Sequence, residues 1–126
     1  MKVKDIMNQA IAVDFDISLK EASNIMARKK IGSLIVMKDS KIAGIITESD
    51  VTSNTPALSK KVSEIMSKNV VTIDEEEDID NAASIMAKNK IKRVPVLSKD
   101  KKLAGIITAT DLIAHSDELN EDFFLE

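Results

Sequence analysis

Apolar positions along this chain recur with two different spacings, and the spacings follow one another in the same order twice. Leu19, Ala22, Ile25 and Met26 repeat at helical intervals, as do Ile79, Ala82, Ile85 and Met86; each set predicts a helix that buries one face. After each come two short β-rich runs. The first pair is Ile31 to Met37 and Ile42 to Thr47, joined by the polar turn Lys38-Asp39-Ser40-Lys41, and the second is Ile91 to Leu97 and Leu103 to Thr108. Two such runs around a polar turn predict a β-hairpin. A last short helix is predicted from Ser49 in the first copy and from Thr110 in the second.

The order repeats because the sequence does. Val3 to Thr52 reads V-K-D-I-M, E-A-S-N-I-M-A-R-K-K-I, A-G-I-I-T-E-S-D, and Val62 to Ile113 reads V-S-E-I-M, N-A-A-S-I-M-A-K-N-K-I, A-G-I-I-T-A-T-D. The stretch Ser53 to Lys61, with Pro56, reads as the connection. The expected boundaries are a first repeat over 1–55, a linker over 56–61, a second repeat over 62–115 and an acidic tail over 116–126. A unit of about 50 residues buries too small a share of its surface to be comfortably stable alone. The expectation is therefore that the two repeats pair through their sheets about a pseudo-twofold axis and leave two related clefts, where ligands usually sit. The fold class is α/β, or α+β in stricter usage.

Composition narrows the functions. A formal net charge of −3 with 2% aromatic residues argues against DNA or RNA binding, which needs an excess of cations or stacking rings. No apolar run reaches the roughly 20 residues of a membrane span, and the first residues lack the apolar stretch of a secretory signal, so an intracellular, cytoplasmic protein without a membrane partner is expected. With no cysteine, disulfides and thiolate-ligated zinc are excluded.

The sharpest motif is the pair Gly44-Ile45-Ile46-Thr47-Glu48-Ser49-Asp50 and Gly105-Ile106-Ile107-Thr108-Ala109-Thr110-Asp111. A Thr followed three residues on by an acid is close to a capping box, in which hydroxyl and carboxylate satisfy free backbone amides. The same groups suit a nucleotide, the carboxylate taking ribose hydroxyls and the hydroxyl a phosphate. Capping and binding are compatible.

Both repeats resemble the cystathionine β-synthase (CBS) domain, whose pattern runs from an early I-M through an E-A helix and a P-V strand to G-I-I-T-x-x-D. The resemblance covers the chain to about Ala114 and implies two βαββα repeats that bind AMP, ADP, ATP or another adenosyl ligand, S-adenosylmethionine and NAD included. It implies ribose binding by Asp50 and Asp111, with Thr47 and Thr108 near the phosphates. For the Asp50 site it implies a wall of Lys68, Val71, Lys92, Arg93 and Pro95, with Ile45 on the same side as the aspartate. For the Asp111 site it implies Ile11, Gly32, Ser33 and Ile35, with Ile106 beside Thr108. Three cations on the first wall and none on the second rank the Asp50 site as the tighter. The chain departs from the family pattern at Phe15 and Glu75, where relatives often have Pro, and at Ile35, which replaces the Pro of the P-V strand.

Other clusters point to less. The run Asp74-Glu75-Glu76-Glu77-Asp78 precedes a helix, whose positive end favours carboxylates, and it lacks the spacing of a calcium loop; no metal is expected. The Met7/Met26 and Met66/Met86 pairs read as core filler. His115, the one histidine, has no nucleophile partner in the pattern. The tail ends in the apolar tip Phe123-Phe124-Leu125, disordered or docked on a partner chain.

The expected function is a regulatory adenine-nucleotide sensor acting on a separate effector protein, as a homodimer formed through apolar helix faces, and not an enzyme. A purely structural dimerisation module without ligand is the alternative. An enzyme acting on nucleotides or phosphoesters would need a base, a metal site or a nucleophile, and none stands out.

Overall fold

In a computed structural model of the chain, residues 1–118 are described, and the Phe123-Phe124-Leu125 tip lies outside them. The fold is mixed α/β, with two three-stranded sheets in the orders β1-β2-β3 and β4-β5-β6. The elements are α1 (Val3–Ile6), β1 (Ala12–Asp14), α2 (Leu19–Lys29), β2 (Ser33–Lys38), β3 (Lys41–Thr47) and α3 (Glu48–Ser53), then α4 (Val62–Ile65), β4 (Ile73–Asp74), α5 (Ile79–Asn89), β5 (Arg93–Leu97), β6 (Leu103–Thr108) and α6 (Ala109–Ala114). The chain divides into two compact units. One is continuous, Ile11–Val70; the other is composite, made of Met1–Ala10 and the chain from Val71 onward.

The compact units cut across the sequence repeats, because the lead segment of each repeat packs elsewhere. In the continuous unit, Val62 of α4 is fully buried with Leu19, Ala22, Met26, Leu34, Val36 and Ile46. In the composite unit, Val3 of α1 does the same with Ile79, Ala82, Met86, Val94, Val96 and Ile107. Burying such a side chain is worth about 1.5–3 kcal/mol. The lead segments also close helix ends. The first N–H groups of α2 bond to the carbonyls of Lys60 (2.7 Å) and Leu58 (3.0 Å), and the Ile79 N–H at the start of α5 bonds to the Met1 carbonyl (3.1 Å). Residues 56–61, expected as a linker, thus cap α2, and Thr55–Ala57 forms a 3₁₀ turn.

Each sheet pairs its first strand parallel and its last two antiparallel, with a bulge at the same place, Val36/Met37 and Val96/Leu97. The alternation of a strand sends Leu34, Val36 and Ile46 to the helices of the continuous unit and leaves Ser33, Ile35, Ile45 and Thr47 on the other face. β4 is shorter than β1 for a chemical reason. The Ile35 N–H bonds to the Ile11 carbonyl at 2.9 Å, whereas Pro95, at the matching place in β5, has no N–H to give.

The boundaries differ from the sequence expectation in three places. β2 begins at Ser33 and β5 at Arg93, two residues later than expected, because Lys30 and Lys90 take left-handed conformations (φ 54° each) that end the preceding helices, with Ile31 N–H and Ile91 N–H still bonded to the Met26 and Met86 carbonyls. The last helices begin at Glu48 and Ala109 rather than Ser49 and Thr110, since Thr47 and Thr108 are themselves the caps. The hairpin turn contracts to Asp39-Ser40, both at positive φ, with Lys38 and Lys41 paired as strand residues.

Candidate functional site

The Thr–Asp pairs sit where a strand runs straight into a short helix. β3 delivers Thr47 to the start of α3, and Asp50 folds back one turn later. Asp50 Oδ2 accepts from the Thr47 N–H at 2.9 Å and from the Thr47 hydroxyl at 3.1 Å, and the Asp50 N–H returns a bond to Thr47 Oγ1 at 3.3 Å. In the composite unit Asp111 Oδ2 accepts from the Thr108 N–H and hydroxyl, both at 2.8 Å, with the return bond at 3.2 Å. Both boxes are half-buried. All of the capping falls on Oδ2. Among the described residues Oδ1 of each aspartate receives no donor, so an acceptor with formal negative charge is left at each helix start.

The sheet register decides which of the expected residues stand together. In the continuous unit Ser33 is opposite Thr47 and Ile35 opposite Ile45, and the Glu48 N–H bonds to the Gly32 carbonyl at 3.0 Å. Ile11 hydrogen-bonds β2 and packs on that unit's core, and Lys68 is exposed just past Ser67, which bridges to Ile45. In the composite unit Arg93 is opposite Thr108 and Pro95 opposite Ile106, and the Ala109 N–H bonds to the Lys92 carbonyl at 2.8 Å. Cross-strand partners share a face; Arg93 and Thr108 therefore line one side of their sheet, with Pro95 fully buried and Ile106 8% exposed beside them. Arg93 makes no ion pair among the described residues. Val71 is half-buried ahead of β4. The sequence expectation sets Lys92 and Arg93 against Asp50; within their own unit the register places Arg93 opposite Thr108, and the Lys92 carbonyl accepts from the Ala109 N–H.

Sequence reasoning missed Asn8. Its side-chain amide donates to Asp111 Oδ2 at 2.7 Å. In the alignment of the two repeats Asn8 corresponds to Ser67, and a single polar difference in a lead segment carries no motif.

The acidic run before α5 has protein partners. Glu76 pairs with Lys2 at 2.6 Å and with Lys4 at 2.8 Å. The hydrogen bonds from Lys2 and then Lys4 hold its carboxyl down at about 2, and the same contact with Glu76 raises the Lys4 ammonium above its ordinary range. No group of three or more metal-ligating side chains forms among the described residues. No helix among the described residues is long and apolar enough to cross a membrane. Met26 and Met86 lie in the two cores, while Met66 and Met7 lie over Gly44 and Gly105.

Comparison with known proteins matches the CBS domain family over residues 3–55 and 62–118. The CBS domain pair of protein MJ0100, solved in complex with 5′-methylthioadenosine and S-adenosyl-L-methionine, is similar with a TM-score of 0.84 at 33% identity, over 93% of this chain and 96% of that one. A CBS-domain containing protein from Agrobacterium tumefaciens has a TM-score of 0.82 at 31% identity, over 92% of this chain and 99% of that one. A homoserine O-acetyltransferase from Methanohalobium evestigatum is 38% identical over 112 residues, 87% of this chain and 23% of the enzyme. The chain thus spans about a quarter of the length of that relative.

Proposed function

The chain belongs to the CBS domain family, and from that premise we propose that it is a regulatory module that binds an adenosyl ligand and acts on a separate effector protein. The observation that carries the reading is the pair of aspartates whose Oδ2 is committed to capping and whose Oδ1 accepts nothing from the described residues. A vicinal diol is a natural occupant of such an acceptor, since hydroxyl donors to a carboxylate make the stronger, charge-assisted kind of hydrogen bond. The 33% identical pair with 5′-methylthioadenosine and S-adenosylmethionine supports an adenosyl group as the bearer of that diol. AMP, ADP, ATP and NAD carry the same moiety and belong in the same test. A regulatory role fits the 23% share of the acetyltransferase that resembles this chain, which leaves most of that enzyme outside the match.

Arg93 and Lys92, next to Thr108, give the composite unit the positive charge that a phosphate needs. We therefore centre the preference for phosphorylated ligands on the Asp111 box. The Asp50 box, with Ser33 opposite Thr47 and Lys68 exposed just past the Ser67 bridge, would take an adenosyl group with less demand for phosphate. The apolar Ile113, 71% exposed on α6, supports assembly as a homodimer.

Titration calorimetry with AMP, ATP, adenosine, NAD and S-adenosylmethionine tests the reading. Replacing both aspartates by alanine should lower affinity by roughly thirtyfold to a thousandfold, the effect of losing charge-assisted bonds worth about 2–4 kcal/mol. A folded double variant that binds as well as the parent, or a parent silent to every adenosyl ligand, would leave the structural dimerisation module as the better account.

A further inference from the structure

The two Thr–Asp boxes share a backbone frame and differ in one neighbouring side chain. Asn8 and Ile106 exchange both backbone hydrogen bonds, at 2.8 and 2.9 Å, and Ser67 and Ile45 exchange theirs at 3.1 Å each. Each bridge fixes its residue two positions ahead of the capping threonine. From that common place the Asn8 amide reaches Asp111 Oδ2 at 2.7 Å, whereas the shorter Ser67 side chain makes no bond to Asp50 among the described residues.

The extra donor leaves Oδ1 as the free oxygen, as at Asp50, and changes what stands beside the carboxylate. Asp111 Oδ2 takes three donors, the Thr108 N–H, the Thr108 hydroxyl and the Asn8 amide, against about two lone pairs per oxygen. Oδ1 is what remains. The same contact holds the Asn8 side chain in one orientation at an exposed position, and its own carbonyl oxygen receives no donor among the described residues. The box thus holds two acceptors that take no donor from the described residues, one anionic and one neutral. At the Asp50 box the carboxylate stands without an amide beside it.

We propose that Asn8 is a specificity residue of the Asp111 box. Its amide oxygen accepts one hydroxyl of a bound ribose while Asp111 Oδ1 accepts the other; at Asp50 the carboxylate alone accepts both. The inference rests on the reading that each aspartate holds a ribose. It makes the two boxes unequal in how they count hydroxyl groups, independently of phosphate.

The test is calorimetry of AMP, 2′-deoxy-AMP and 3′-deoxy-AMP on the Asp50→Ala chain, which leaves the Asp111 box as the one intact, with and without Asn8→Ser. Serine is what the other unit carries on the same backbone bridge, so the substitution keeps a side chain this frame already accommodates. Asn8→Ser should weaken AMP about three- to tenfold, the range for a neutral hydrogen bond, and should shrink the penalty for removing one of the two hydroxyls by the same factor while leaving the other penalty unchanged. The reciprocal variant, Ser67→Asn in an Asp111→Ala chain, should tighten AMP and raise the penalty for removing one of the two hydroxyls above that of its parent. Equal weakening of all three ligands by Asn8→Ser would make Asn8 a structural support and overturn the proposal. An Asp50→Ala chain that binds AMP with hydroxyl penalties indifferent to residue 8 would overturn this proposal alone; an unsubstituted protein that ignores every adenosyl ligand would overturn the ribose reading beneath it.

Discussion

Gly44 and Gly105 show how tightly single atoms are arranged around the boxes. A Cβ added at Gly105 would meet the Asn8 carbonyl oxygen at 2.6 Å and Met7 Sδ at 2.8 Å, and one added at Gly44 would meet the Ser67 carbonyl at 2.8 Å as well as Met66. A methionine end can swing aside, but those carbonyls are the ones bonded to Ile106 and Ile45, so alanine must break or bend the bridge. Gly105→Ala should cost about 1–3 kcal/mol in urea unfolding, the range of an overpacked site. Adding Met7→Ala should not restore the loss. A neutral Gly105→Ala would mean that the bridge is soft, and the placement of Asn8 with it. Thr47, Asp50, Thr108 and Asp111 were legible at this scale, because a capping box depends on contacts three residues apart. Asn8 was not, because its bond to Asp111 spans 103 positions and local patterning carries no information at that range.

The elements were legible in kind and order, and imprecise at their ends. Both long helices follow from their apolar spacing, and Ser18 caps α2 through the Glu21 N–H at 3.1 Å. Strand starts were misplaced by two residues because lysines, which as β-carbon residues resist the left-handed region, end the preceding helices there. The lead segments start their own repeats in the sequence, as in the family match, while in space α1 closes the unit that begins again at Val71; periodicity within a four-residue helix cannot say which core receives it. Electrostatics mark this closure. Glu76 is depressed to about 2 by Lys2 and Lys4, so its contribution is complete above the ordinary carboxylate range and is lost as pH falls from about 4.5 through 2. Thermal melts of Glu76→Gln and the parent should therefore differ near neutral pH and converge as the acid end is approached. The difference should be small and should fade with salt, as expected of an exposed pair. A gap that persists at pH 2 would assign the effect of Glu76 to something other than its charge.

At the scale of the whole molecule, duplication was the most legible property, and the family match over 3–55 and 62–118 follows the same two segments. What duplication does not say is which of the two boxes the cations assist. The chain carries 18 Lys and Arg against 21 Asp and Glu, so an anionic ligand gains nothing from the overall field and depends on local cations. Arg93, opposite Thr108 and without an ion pair among the described residues, is the best placed by register. A ligand at about 100 times its dissociation constant stabilises the folded state by roughly 2.7 kcal/mol, which raises the melting temperature of a domain this size by several degrees. Arg93→Ala should shrink that rise for AMP and leave the rise for adenosine nearly unchanged, since the nucleoside has no phosphate to lose a partner. The AMP advantage in the parent should also weaken as salt is added. Combining Arg93→Ala with Asp111→Ala should cost less than the sum of the two, the signature of groups that serve one ligand, while combining it with Asp50→Ala should be additive. The reverse pattern, additive with Asp111→Ala and coupled to Asp50→Ala, would return the phosphate preference to Asp50 and show that strand register is a poor guide to which carboxylate Arg93 assists.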